Sequence, residues 1–235
     1  MNWNVHIAEL KRKCLKSVNI IKLLSHVNWG PNRKILLRIN NSCIRLKIDY
    51  GSIMYDTASI STKNKLNTIQ TQAVRLCLGA YRTSPAMSLL VESSTLPLQL
   101  KRDLLTLSYY YARYSEPLHP NNYKLVHSKI SNALTLGNRS RHLMQHLQLK
   151  PPATLQPPIN DRTQQLAKEQ NNATIKDDPS SKLQQIKTDV NKWSTADNQN
   201  RRIETILARL RIGHSAITHG PLLEVKFSNI SPLLI

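Results

Sequence analysis

The residues of this chain that could do chemistry are few and scattered. Glu9, Asp49, Asp56, Glu92 and Asp103 are the only carboxylates in the first 115 residues. Metal-assisted phosphoryl transfer needs two or three carboxylates converging on paired cations, and no two of these stand side by side. Asp49 and Asp56 are separated by Gly51, a pattern that predicts one turn cap and one surface acid. No glycine-rich phosphate loop is present. Cys14, Cys43 and Cys77 are widely spaced within apolar helical patterns, which predicts buried, inert thiols and no disulfide framework. His214 and His219 lie five apart in RIGHSAITHG, but no cysteine or acid beside them completes a zinc set. The expectation is a chain with no catalytic residues, no metal site and no cofactor.

Charge is the stronger signal. Thirty-three Lys and Arg face 14 Asp and Glu, a formal net charge of +19. The excess is concentrated: residues 1–150 carry 22 basic and 6 acidic residues, against 11 and 8 in residues 151–235. Such a field attracts polyanions and points to the sugar-phosphate backbone of RNA or DNA as a partner. The candidate contacts are Lys11, Arg12, Lys13, Lys16 and Lys22, then Arg33 and Lys34, then Arg75, Arg82, Lys101 and Arg102. Several sit near expected helix starts, where free backbone N–H groups assist lysine and arginine in holding phosphate.

The elements that must position these residues read as helices. Ile7, Leu10, Cys14, Val18 and Ile21 recur at steps of three and four over residues 4–27, with the basic residues mostly outside that stripe. Asn28-Trp29-Gly30-Pro31-Asn32 stops the helix. A second helix over 33–47 places Leu36, Ile39, Cys43 and Leu46 inward, and Asp49-Tyr50-Gly51 breaks it. A short helical stretch over 53–58 precedes a third long helix over 62–79, with Leu66, Ile69, Ala73, Leu76 and Cys77 inward and Gly79 as its stop. Residues 79–102, GAYRTSPAMSLLVESSTLPLQLKR, read as two turns flanking a short helix, with Ser84 and Thr95 as expected caps. A final helix runs to Tyr114 with Leu100, Leu104, Leu107 and Tyr111 inward.

Beyond Glu116 the texture loosens. A weak helical pattern covers 124–135, and Pro151, Pro152, Pro157 and Pro158 mark an extended linker. Residues 160–200 are polar and poor in apolar side chains, so they are expected to be largely disordered. Helical order returns at 200–212, where Ile203, Ile206, Leu207 and Leu210 share a face flanked by Arg201, Arg202, Arg209 and Arg211. No alternation demands a strand. The reading is all-α, organised as 1–115, a loop and Pro-rich linker over 116–159, a polar segment over 160–200 and a helical segment over 201–235. The early lysines and arginines leave no signal-peptide order and no apolar run long enough to span a bilayer, so no membrane partner and an intracellular site are expected.

The series WNVHIAELKRKC, NIIKLLSHVNWG, KILLRINNSCIRLKIDYGSIMYDTAS and LNTIQTQAVRLCLGAYRTSPAMSLLVESSTLPLQLKR resembles part of a jockey-like non-LTR retrotransposon polyprotein. The resemblance covers about residues 1–114 and implies the thumb and connection region of a reverse transcriptase, an RNA-directed DNA polymerase. NDRTQQLAKE at 160–169 is similar to the last helix of that family's ribonuclease H domain, and residues 201–224 to the segment after it. The interval between the first matching region, which ends near residue 114, and residue 160 is too short for a ribonuclease H sheet, so the resemblance implies a truncated, internally shortened copy. The family's polymerase carboxylates precede the matching region, and Gln164 stands where a ribonuclease H acid is expected. Neither activity carries over. What the resemblance implies is a thumb-like hold on RNA or DNA, with the missing polymerase palm domain as a former partner of its apolar faces.

Overall fold

The computed structural model describes residues 3–116, 118–120, 122, 135–147, 169 and 200–213, and among these the chain is all-α with no strand. The linker of 151–158, the weak pattern of 124–135 as far as residue 134, the segment resembling ribonuclease H as far as residue 168, and His214 and His219 lie outside the described residues.

Helix α1 (Asn4–Leu24) and helix α5 (Ile60–Leu78) form the centre of the bundle. Ile7, Leu10, Cys14, Val18 and Ile21 of α1 are buried in one apolar cluster with Leu66, Ile69, Ala73 and Cys77 of α5. The three- and four-residue steps of both sequences thus become facing stripes. Helix α2 (Arg33–Asn40) starts at Asn32, whose side chain accepts from the Ile35 N–H, an ordinary N-cap. It adds Leu36 to the same core.

The chain then departs from the expected helix over 33–47. Residues Asn41–Arg45 form a π-helical turn before helix α3 (Leu46–Asp49). A π turn takes more residues than an α turn, so every side chain after it rotates around the axis. The inward positions become Leu36, Asn40, Ile44 and Ile48, while Leu46 is 64% exposed and Cys43 is half-buried. Both had been expected inside. Gly51 takes a left-handed φ of +67° and opens the single turn α4 (Ser52–Tyr55). Tyr55 is buried there, and its hydroxyl donates to the Ile48 carbonyl.

Helices α6 (Ala86–Glu92) and α7 (Leu98–Tyr114) follow as two turns around a short helix. The caps differ from expectation. Pro85 and Pro97 themselves precede the first helical residues in extended conformation, and neither helix has a side-chain cap. Proline fixes φ near the value the chain needs there. Helix α8 (Leu136–His146), not anticipated in the sequence, packs Met144 against Leu107, Tyr110 and Tyr111 of α7.

Helix α9 (Arg201–Ile212) docks on the corner between α5 and α6. Ala208 and Ile212 join Val74, Leu78 and Leu89 in a second apolar cluster. The inward face is otherwise Arg201, Glu204 and Thr205, whereas Ile203, Ile206 and Leu210 are 45%, 48% and 54% exposed. The apolar face noted in the sequence therefore points outward, because polar groups do the docking. Arg201 donates to the Cys77 and Leu76 carbonyls (2.6 and 2.9 Å), and Arg209 to the Gly79 carbonyl (2.8 Å). Those are carbonyls at the end of α5, where the helix's own N–H donors run out; the Leu76 carbonyl also accepts from the Gly79 N–H at 3.2 Å. Arg209 also lies over the Tyr81 ring, 4.2 Å from its centre. Gly79 serves two ends here. It takes φ +65° to close α5, and a Cβ on it would meet Thr205 side-chain atoms at 2.7 and 2.8 Å.

Among the described residues no helix is long and apolar enough to cross a membrane.

Candidate nucleic-acid interface

The structure divides the eleven candidate basic residues into two sets. Arg102 is not a phosphate contact but an internal counter-ion. It is 1% exposed, and its Nε lies 3.1 Å from Asp56 Oδ1. Asp56, expected as a turn cap or surface acid, accepts from three cations: Arg102, Arg139 Nη1 at 3.1 Å and Lys63 Nζ at 3.3 Å. Arg33 is likewise committed. Its guanidinium lies 2.8 Å from the Glu92 carboxylate, and its backbone N–H donates to Glu204 Oε2 at 2.6 Å. Glu92 itself is 1% exposed and also holds Arg211 at 3.1 Å. Sequence spacing gave no hint of the partners of Arg33, Arg102, Arg139 and Arg211, which lie 46 to 171 residues away.

The remaining candidates stay near the surface. Lys11, Arg12, Lys13, Lys16 and Lys22 are all exposed on α1, and Lys34 is exposed at the start of α2. Arg12 makes two bonds to Glu9, at 2.7 and 2.8 Å, and Lys13 lies 3.8 Å from the same carboxylate. The Arg12 hydrogen bond holds the Glu9 carboxyl below its usual range. Exposed pairs of this kind are weak and can exchange one anion for another. Lys101 is half-buried and shares an open groove with Arg38 and Arg45 beside the π turn.

Arg75 and Arg82 are brought together. Both line an open groove of about 710 Å³ along the outer side of α5. Burial lowers the Arg75 pKa, and the positive charge of Arg82 lowers it further. Two guanidiniums that repel each other are a natural seat for an anion. The floor of the groove is Asn64, Asn67, Thr68, Thr71 and Gln72, which sequence reading overlooked. Their spacing of three, four, seven and eight is a polar helical stripe, legible in retrospect by the periodicity used for apolar ones. Amides and hydroxyls beside paired arginines can bond phosphate and sugar oxygens without reading base identity.

The thiols are not nucleophiles of this groove. Burial pushes the Cys77 pKa up to about 12, and its Sγ lies 3.4 Å from the Leu36 carbonyl. Burial also raises the Cys14 pKa. Cys43, half-buried on the π turn, is different. Treating the native protein with iodoacetamide should alkylate Cys43 alone, and denatured protein should be labelled at all three cysteines; mass spectrometry of the peptides checks this. Native labelling of Cys77 would contradict the burial described above.

No protein-family model, no curated protein and no solved structure matches the chain.

Proposed function

We propose that the protein binds RNA or DNA through its sugar-phosphate backbone, without sequence preference and without catalysis, and that it derives from the thumb and connection region of a non-LTR retrotransposon reverse transcriptase. The observation that carries the binding reading is the groove in which Arg75 and Arg82 stand over an amide and hydroxyl floor. The exposed lysines of α1 add a sequence-independent field that steers polyanions towards the bundle. The retrotransposon origin rests on the resemblance alone.

The test is fluorescence anisotropy of a labelled RNA–DNA duplex at about 50 and 200 mM salt. Several phosphate contacts should lower the affinity on the order of a hundredfold across that range. Changing both Arg75 and Arg82 to alanine should weaken binding to all sequences alike and reduce the salt slope by about two. A double variant with an unchanged slope would remove the groove from the interface.

A second reading is favoured by the exposed apolar side chains Val5, Ile20 and Leu23 on α1, which are 76%, 54% and 72% exposed. On this reading the chain is a structural relic whose apolar faces once packed on a polymerase palm domain. A helical, soluble sample that binds no polynucleotide at low salt would select it.

A further inference from the structure

Trp29 is 66% exposed, an unusual position for the largest apolar side chain. It is nonetheless held in one orientation. The His26 ring is stacked on it, with centroids 5.1 Å apart and planes 14° from parallel. The turn between α1 and α2 enforces this arrangement. Asn28 N–H donates to His26 Nδ1 at 3.2 Å, which leaves the imidazole hydrogen on Nε2, and Gly30 N–H donates to the His26 carbonyl at 2.9 Å. Only glycine permits the tight return, because a Cβ at position 30 would meet the His26 and Leu24 carbonyl oxygens at 2.3 and 2.4 Å.

Lys22, Leu23, Asn19 and Asn28 complete an open groove around the stacked pair. An aromatic face pre-oriented by a second ring, with a lysine one helical turn away and amides at its margin, matches the chemistry of an unpaired nucleobase. The ring provides a stacking platform, the ammonium takes the neighbouring phosphate, and the amides meet a base edge. The basic field of the first 150 residues supplies charge complementarity for a polynucleotide and opposes a basic protein partner.

We infer that Trp29, backed by His26 and flanked by Lys22, is a stacking site for an unpaired base of single-stranded RNA or DNA. This rests on the nucleic-acid reading above and adds a base-dependent contact to one that depends on the backbone alone.

The test compares a single-stranded oligonucleotide of about a dozen nucleotides with an abasic one of equal length and charge. Each is titrated into wild-type protein and into Trp29→Phe and Trp29→Ala variants. Trp3 and Trp193 remain in all three, so the difference in emission belongs to Trp29. The base-bearing strand should quench Trp29, and the abasic strand should not. Trp29→Ala should bind the base-bearing strand about 5- to 100-fold more weakly, with Trp29→Phe in between. Circular dichroism identical to wild type keeps a folding defect from imitating that loss. Equal, salt-sensitive binding of both strands with silent Trp29 overturns the stacking site and leaves the backbone reading intact. Binding of neither strand at low salt overturns both. A concentration-dependent blue shift of Trp29 without nucleic acid would mark a protein contact there and equally overturn it.

Discussion

Replacing Asp56 with alanine should destabilise the bundle by about 3–5 kcal/mol, the usual result of removing one partner from a buried ion pair. Asp56 joins three separate parts of the chain. Arg102 reaches it from α7, Arg139 from α8 and Lys63 from α5. The Arg102 side chain is only 2% exposed, so water cannot replace the lost carboxylate. Arg139 keeps its bond to the Ile53 carbonyl at 2.9 Å, and Arg102 keeps Gln99 at 2.8 Å, yet both charges lose their counter-ion. Asp103 is a poor substitute, because burial raises its pKa and so disfavours its charged form. Urea unfolding followed by helical circular dichroism measures the loss. Asp56→Asn separates the contributions. If hydrogen bonding dominates, asparagine should recover most of the stability; if charge dominates, it should behave like alanine. A loss below about 1 kcal/mol for alanine would mean that the cations find water or other partners, and would argue against this cluster as the link that ties α8 to the bundle.

The helices were legible because the local rules acted undisturbed. The stripes of α1, α5 and α7 follow from three- and four-residue spacing, and their expected inward residues are buried except for Leu76 and Leu100, which are half-buried. The second helix failed at one place for one reason. A π turn at Asn41–Arg45 rotates the later side chains, and it leaves no trace in a pattern assumed to repeat every 3.6 residues. Helix α9 failed differently. Its sequence carries a regular apolar face, but Arg201 and Arg209 cap the end of α5 and Glu204 meets the start of α2. Contacts between residues more than a hundred positions apart decided which face turned inward, and no local pattern encodes them. The same limit explains the binding candidates. Lysines on the outer side of α1 were identifiable from amphipathicity, whereas Arg33 and Arg102 look no different in sequence from surface arginines until their acids are known.

Glu92 is the clearest case of such a hidden partner, and its removal carries the second large effect. Glu92→Ala should cost about 3–5 kcal/mol and should release α9 from its seat. The carboxylate side chain is fully buried between Arg33, 2.8 Å away at the start of α2, and Arg211, 3.1 Å away near the end of α9. Without it, the guanidiniums of Arg33 and Arg211, from different helices, lose the carboxylate that both of them hold. Both are 11–17% exposed, so partial hydration places the expected loss towards the lower end of that range. Arg211→Ala alone should cost less, since Glu92 then retains Arg33. The double variant Glu92→Ala with Arg211→Ala should be more stable than the sum of the single losses predicts, because removing the second charge relieves the repulsion left by the first. Unfolding curves give these energies, and hydrogen exchange of residues 201–212 reports the docking itself. Exchange in α9 should rise in Glu92→Ala while that of α1 and α5 changes far less. Strict additivity of the two substitutions, with α9 protection unchanged, would show that the apolar contacts of Ala208 and Ile212 hold this helix and that its charged groups merely accompany them.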